Sequence, residues 1–121
     1  MDIILADDQY EVREAYKCLL DDQVGVCLVS EATSATELLG QLEQRCADLV
    51  LLDWELAGLK GAELMTRARA VCPRLQVIAL SVRPEARDEA LHAGAQGFVS
   101  KGDPPERLIT AIHNLMFAAR I

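Results

Sequence analysis

The chain has 121 residues, a formal net charge of −7, 51% hydrophobic and 26% charged residues. That length and balance suit one soluble globular domain, expected over 1–121, that fills a core without staples. The acidic surface sets aside direct nucleic-acid binding by this chain, which needs Lys and Arg to neutralise phosphates. No apolar run approaches a membrane span, since the longest strongly apolar one is Leu49 to Leu52.

In chain order, the first apolar run is Ile3-Ile4-Leu5-Ala6. Only Asp2 precedes it beyond Met1 and the run is too short for a signal-peptide core, so the default location is the cytoplasm. Asp8 then stands as a helix N-cap with Glu11 at the capping-box position, and Val12, Tyr16 and Leu19 share one helical face. Val26 to Val29 predicts the second strand. Ala35, Leu38, Leu39, Leu42 and Cys46 predict the second helix.

Leu49 to Leu52 predicts the third strand, and Leu64, Met65, Ala68 and Cys72 the helix that Pro73 ends. Val77 to Leu80 is the fourth run. Pro84 suits the first turn of a helix with a weak inner face of Ala86, Ala90 and Leu91. Gly97-Phe98-Val99 is the fifth run. The last helix opens near Pro104-Pro105, carries Leu108, Ile109, Ile112, Leu115 and Met116, and has no strong stop before Ile121.

This alternation predicts an α/β fold, a parallel sheet with helices on both faces and right-handed crossovers. The four cysteines, at 18, 27, 46 and 72, share no CxxC spacing. They read as small apolar fillers in a reducing compartment, with a disulfide or metal role set aside.

The chemistry gathers where the runs stop. The first ends in Asp7-Asp8, the third in Asp53, the fourth in Ser81 and the fifth in Ser100-Lys101, whereas the second runs into Ser30-Glu31 with no comparable group. A parallel sheet brings these ends to one rim, where open α/β sheets bind ligands. Three carboxylates there repel one another and call for a cation. Oxygen ligands that leave waters in place suit Mg²⁺. A lysine and a hydroxyl beside them suit a phosphoryl group. Each residue has an ordinary reading as a cap, turn acid or solvated charge. Only the joint pattern favours chemistry.

The segments ILADDQ, LVLLDWELAGLKG, VIALS and AGAQGFVSK resemble the receiver domain of two-component response regulators over essentially the whole chain. KGDPPERLITAI is similar to the NarL/FixJ-type subfamily. The resemblance implies a flavodoxin-like (βα)5 three-layer sandwich with sheet order 2-1-3-4-5. It implies Asp53 as phosphoacceptor and Mg²⁺ held by Asp8, Asp53 and the backbone carbonyl of Glu55, with Asp7 acting mainly through water. Ser81 and Lys101 would grip the phosphoryl oxygens, and Phe98 would be the switching aromatic.

By the same resemblance the donor is a phosphohistidine on a sensor histidine kinase, and the chain is a signalling phosphoacceptor, not an enzyme. The output is transcription, through a C-terminal helix-turn-helix domain outside this chain. Neither His92 nor His113, each on a predicted helix, suits the donor role. Ala57 stands where many members have proline, so a slightly less rigid loop is expected after Asp53; Gly102 also stands where many have proline, so a trans bond is expected after Lys101.

Glu55 and Arg83 are expected to face each other over the site as an ion pair. Together with Val82 at the entrance they would slow loss of the phosphoryl group. Phe117 lies off the main stripe of the last helix. There it could touch a second copy, giving a homodimer, or an output domain, although a lone surface aromatic is commoner. The main alternative is a pseudo-receiver that is never phosphorylated. A flavodoxin-like cofactor binder lacks its phosphate-cradling loop, because Asp7-Asp8-Gln9 is acidic. A phosphatase lacks a visible general acid and cap.

Overall fold

Alternation along the strands explains how the sheet is covered. In β3 (Leu49–Asp53), Leu49 and Leu51 join one buried cluster and Val50 and Leu52 the other. β1 (Asp2–Ala6) sends Ile3 and Leu5 to the first cluster and Ile4 and Ala6 to the second. β4 (Gln76–Ser81) divides Ile78 and Leu80 from Val77 and Ala79 in the same way. These strands are apolar on both faces, as strands sandwiched between helices must be. The computed structural model describes residues 1–118. It arranges β2 (Cys27–Ala32), β1, β3, β4 and β5 (Gly97–Ser100) as one parallel sheet in the order 2-1-3-4-5.

The first cluster receives Leu20 from α1 (Tyr10–Asp21) and Leu108 and Ile112 from α5 (Pro105–Ala118). The second receives Leu38 and Leu42 from α2 (Ala35–Gln44), Leu64, Met65 and Ala68 from α3 (Gly61–Val71), and Ala86 and Ala90 from α4 (Ala86–His92). The flavodoxin-like three-layer sandwich expected from the sequence is therefore the observed fold. Among the described residues, no helix is long and apolar enough to cross a membrane.

Three local expectations need correction. Asp8 does not cap α1: Gln9 occupies the N-cap position, no side chain caps there, and Asp8 is left exposed at the rim. The second strand begins and ends later than its apolar run and takes in Ser30 and Glu31. As an edge strand it leaves Cys27 and Val29 exposed. Its polar residues are tolerated because Glu31 pairs with Arg13 and Lys17 of α1, at 3.2 Å each.

The third correction concerns the cysteines. Cys46 and Cys72 are joined as a disulfide, and Cys18 and Cys27 are exposed free thiols, not fillers. Linear spacing concealed the pair. It is 26 residues apart in sequence, and becomes adjacent only because α2 and α3 pack side by side and stop at the same end.

Candidate functional site

All five strands run the same way, so their C-terminal ends share one rim. Asp7 follows β1, Asp53 ends β3, Ser81 ends β4 and Lys101 follows β5. Ligand oxygens of Asp7, Asp8 and Asp53 lie within 4.8 Å of one another. Asp7 and Ser81 are fully buried, Asp53 is nearly so, and Asp8 is open to solvent. The chain thus brings together, from separate loops, the acidic pair, the third carboxylate, the hydroxyl and the lysine singled out by their positions after the apolar runs.

Lys101 balances the buried acids. Its Nζ lies 2.7 Å from Asp7 Oδ2 and 3.4 Å from Asp53 Oδ1, and also donates to Gln9 Oε1 at 3.4 Å. The contact with Asp7 is an ion pair without hydrogen-bond alignment, and Asp7 Oδ2 accepts no hydrogen bond. The other Asp7 oxygen accepts the Gln9 amide at 2.9 Å. Asp53 Oδ1 accepts the Glu55 amide at 3.0 Å. Burial raises the Asp53 carboxyl above its ordinary range. Lys101 pulls it back, Asp7 pushes it further up, the Glu55 amide lowers it and Asp8 raises it. Next to them the Tyr16 phenol is pushed up to about 12, first by burial and then by Asp7, Asp103 and Asp53, so it stays neutral.

This donor set fits a hard divalent cation. Three carboxylates converge, one has a buried oxygen without a hydrogen bond, and one remains open to water. Direct ligation by an exposed Asp8 and by Asp53, with waters completing the shell, is compatible with these positions.

Beyond the acids, Glu55 and Arg83 do form the expected ion pair: Arg83 Nη2 is 3.0 Å from Glu55 Oε2. Glu55 has a second contact that its sequence position did not suggest. The Ser81 hydroxyl donates to Glu55 Oε1 at 2.7 Å while accepting the Arg83 amide at 3.0 Å. Val82 is exposed next to them, and Phe98 is half-buried against the α2–α3–α4 side of the sheet.

The β3–α3 loop has two restraints. Gly58, at φ +113, occupies backbone space that favours glycine, and a Cβ there would also stand 3.2 Å from the Ala35 Cβ. The Ala57 carbonyl accepts the Ala35 amide at 2.9 Å, which ties the loop to α2. No peptide bond among the described residues is cis, including that after Lys101.

Sequence reasoning missed Gln9, Arg13 and Trp54. The Arg13 guanidinium donates to the Asp7 carbonyl at 2.9 Å and to Glu31 at 3.2 Å, clamping the first acidic loop. Its place one turn into α1 was the available signal. Trp54 follows Asp53 directly and is buried, with its Nε1 unpartnered. Its ring lies so close over Gly61 that a Cβ there would meet it at 2.5 Å. His92 is exposed at the end of α4. His113 is half-buried and meets Phe117 edge-on at 6.2 Å.

Comparison with known proteins agrees with this geometry. The family model described as "Response regulator receiver domain" matches residues 3–113. The Pseudomonas putida "Transcriptional activator protein ExaE" is 33% identical over 96% of this chain and 55% of its own length. The Escherichia coli (strain K12) "Nitrate/nitrite response regulator protein NarL" is 31% identical over 92% of this chain and 52% of its own. This chain thus spans about half the length of these curated relatives. A crystal structure of a "two-component response regulator, LuxR family, from Aurantimonas sp. SI85-9A1" superposes with a TM-score of 0.87 at 29% identity, covering 97% of this chain and 85% of that one. With its sheet order, its rim of acids, hydroxyl and lysine, and a family match over nearly its whole length, the chain belongs to the receiver-domain family of two-component response regulators, with relatives of the NarL/FixJ type.

Proposed function

We propose that Asp53 accepts a phosphoryl group from a phosphohistidine of a sensor histidine kinase, with Mg²⁺ bound at Asp8, Asp53 and the Glu55 carbonyl and water-bridged to Asp7. The observation that carries this reading is one buried carboxylate held between two acids and an ammonium, at the end of a central strand. An Asp53 oxygen attacks phosphorus as the P–N bond to the imidazole breaks, and the freed ring nitrogen takes up a proton. The bound cation supplies charge neutralisation for the phosphoryl oxygens during transfer. Lys101 then moves part of its pairing from Asp53 to those oxygens. The chain is the substrate of this reaction and acts on no other, so it is not an enzyme in the usual sense.

The switch follows from the Ser81 hydroxyl. Phosphorylation adds about two negative charges and strong acceptor oxygens. Ser81 then leaves Glu55 to donate to the phosphoryl group and vacates space under α4. That helix is short and buries only Ala86 and Ala90, so little apolar packing resists its displacement. Phe98 turns inward, and the α4–β5–α5 surface changes. The change biases an equilibrium that the unphosphorylated form already samples.

In the whole protein that surface controls a helix-turn-helix output domain and through it transcription in the cytoplasm. The receiver itself, taken as one domain over 1–121, binds no DNA. Exposed Phe117 of α5 offers a contact for either a second copy or the output domain, a homodimer being one of these two alternatives.

The test is intact-mass analysis and a phosphate-affinity gel after incubation with a small phosphodonor. Uptake of one phosphoryl group with Mg²⁺, and none with a chelator, is the expected result. No uptake under either condition would favour the pseudo-receiver reading.

A second prediction concerns lifetime. In this reading the Glu55–Arg83 ion pair and the exposed Val82 beside it would hinder the approach of water to Asp53. The Arg83→Ala, Val82→Ala double variant should lose its phosphoryl group roughly fivefold faster, about 1 kcal/mol of barrier. A decay constant equal to that of the parent protein, followed by loss of label with time, would leave the pair with no kinetic role.

A further inference from the structure

The Cys46–Cys72 bond lies at the opposite end of the sheet from the acidic rim, just ahead of β3 and β4. Cys46 follows α2 and Cys72 is the C-cap of α3. The bridge therefore encloses β3, Asp53, the loop after it and α3. At the other end of the same helices, the Ala35 amide bonds the Ala57 carbonyl at 2.9 Å. The enclosed segment is thus tied to α2 at both ends, covalently at one and by a hydrogen bond at the other.

We propose that this disulfide is a reversible thiol–disulfide exchange site, opened by a dithiol reductant that attacks Cys46, and that its redox state sets how tightly the 54–60 loop is held. The two cysteines differ in exposure. Cys46 is exposed, whereas Cys72 is 2% exposed. Both line a shallow cleft of about 350 Å³, together with Asp48 and Arg74. A thiolate entering the cleft reaches the Cys46 side first. It bonds to Cys46 Sγ, the S–S bond breaks, and Cys72 leaves as a thiolate that takes up a proton. The second thiol of the reductant then displaces Cys46 from the mixed disulfide. The bridge ends as two thiols and the reductant as its own disulfide, two electrons and two protons having passed. Re-formation runs the same exchange backward with an oxidised dithiol.

Two features favour exchange over a permanent staple. Leu42 of α2 and Leu64 and Ala68 of α3 are buried in one apolar cluster, so the two helices have packing to hold them besides the bond. Cys18 and Cys27 remain exposed thiols on the same chain. Coexisting free and bonded cysteines suit a reducing setting in which disulfides that do form tend to be transient or regulatory.

The full chain would be equilibrated in mixtures of reduced and oxidised dithiothreitol, acid-quenched, alkylated and mapped by mass spectrometry. Cys46 and Cys72 should convert together and reversibly while circular dichroism stays native, with Cys18 and Cys27 alkylated throughout. Reduction should lower Tm by roughly 5–10 °C and quicken amide hydrogen exchange over residues 54–60 severalfold. Cys46→Ser and Cys72→Ser should each match the reduced protein and ignore the reductant, while the Cys18→Ser, Cys27→Ser double variant keeps the response. The proposal is overturned if the pair stays reduced in every mixture, if it opens only on unfolding, or if exchange over 54–60 is the same in both states. None of these readouts uses phosphorylation, so the phosphoacceptor reading stands or falls separately.

Discussion

Asp53→Asn should abolish phosphoryl uptake completely while leaving the fold intact and, in metal-free buffer, more stable than the parent. Loss of uptake follows from loss of the carboxylate that the proposed transfer uses as its nucleophile. Asp7 is buried and paired with Lys101, and Asp8 stands outside the buried part of the cluster. Folding is spared because an asparagine oxygen can still accept the Glu55 amide that Asp53 Oδ1 accepts now, at 3.0 Å.

The stability gain has a sign that can be worked out. Asp53 titrates above its ordinary value in the fold, chiefly because it is buried. Between the unfolded and folded values the native state holds more protons than the unfolded one. Stability from this group is therefore full at acidic pH and falls as pH rises through the folded value. The asparagine variant escapes that loss. Its advantage in urea melts with a chelator present should be absent in acid, grow across this window and level off above it. A labelled Asp53→Asn protein, or a variant whose advantage shrinks with rising pH, would contradict the assignment.

Lys101→Met should cost about 3 kcal/mol in metal-free buffer, the lower end of what removing one partner of a buried ion pair costs. The Lys101 side chain is 8% exposed and that of Asp7 is 0% exposed, so water cannot substitute freely for the lost ammonium. Methionine keeps most of the stem's packing and isolates the charge. Mg²⁺ should restore much of the loss, since a cation among the carboxylates does the electrostatic work of the ammonium. Binding only to the folded state adds about 2.7 kcal/mol at a hundredfold excess over Kd. The Mg²⁺-induced shift in the urea midpoint should accordingly be larger in Lys101→Met than in the parent. Equal shifts would mean that the lysine and the ion do not share the same acids. The buried Trp54 next to Asp53 provides an independent fluorescence signal for the same titration.

The covalent bridge and the charged rim lie at opposite ends of α2 and α3, so the proposed redox site and the proposed phosphoacceptor share the same two helices. The acidic end is governed by electrostatics, with three carboxylates gathered around Lys101. The cysteine end depends on thiol supply. On these two proposals the 54–60 loop is adjusted without any change at Asp53.

Much of this molecule is legible in one dimension. Apolar runs such as Leu49–Leu52 announce central strands because a strand covered on both faces has no polar side to show. One-face stripes such as Leu38 and Leu42 announce the helices that cover it. Once the strands are parallel, the residues just past each run must meet at one rim, which makes Asp7, Asp8, Asp53, Ser81 and Lys101 candidates, and the family resemblance singles them out. What the sequence could not decide is which neighbours share a side-chain contact. The Ser81–Glu55 hydrogen bond, the Arg13 clamp on Asp7 and the Cys46–Cys72 bond all join residues whose distance is set by how helices pack on the sheet. For Asp8 the local pattern also allows a cap, because it favours an acid before a helix, whereas in the fold the N-cap position falls to Gln9 and Asp8 joins the acidic cluster. Periodicity reports which face a residue takes. Only the tertiary structure brings two faces together.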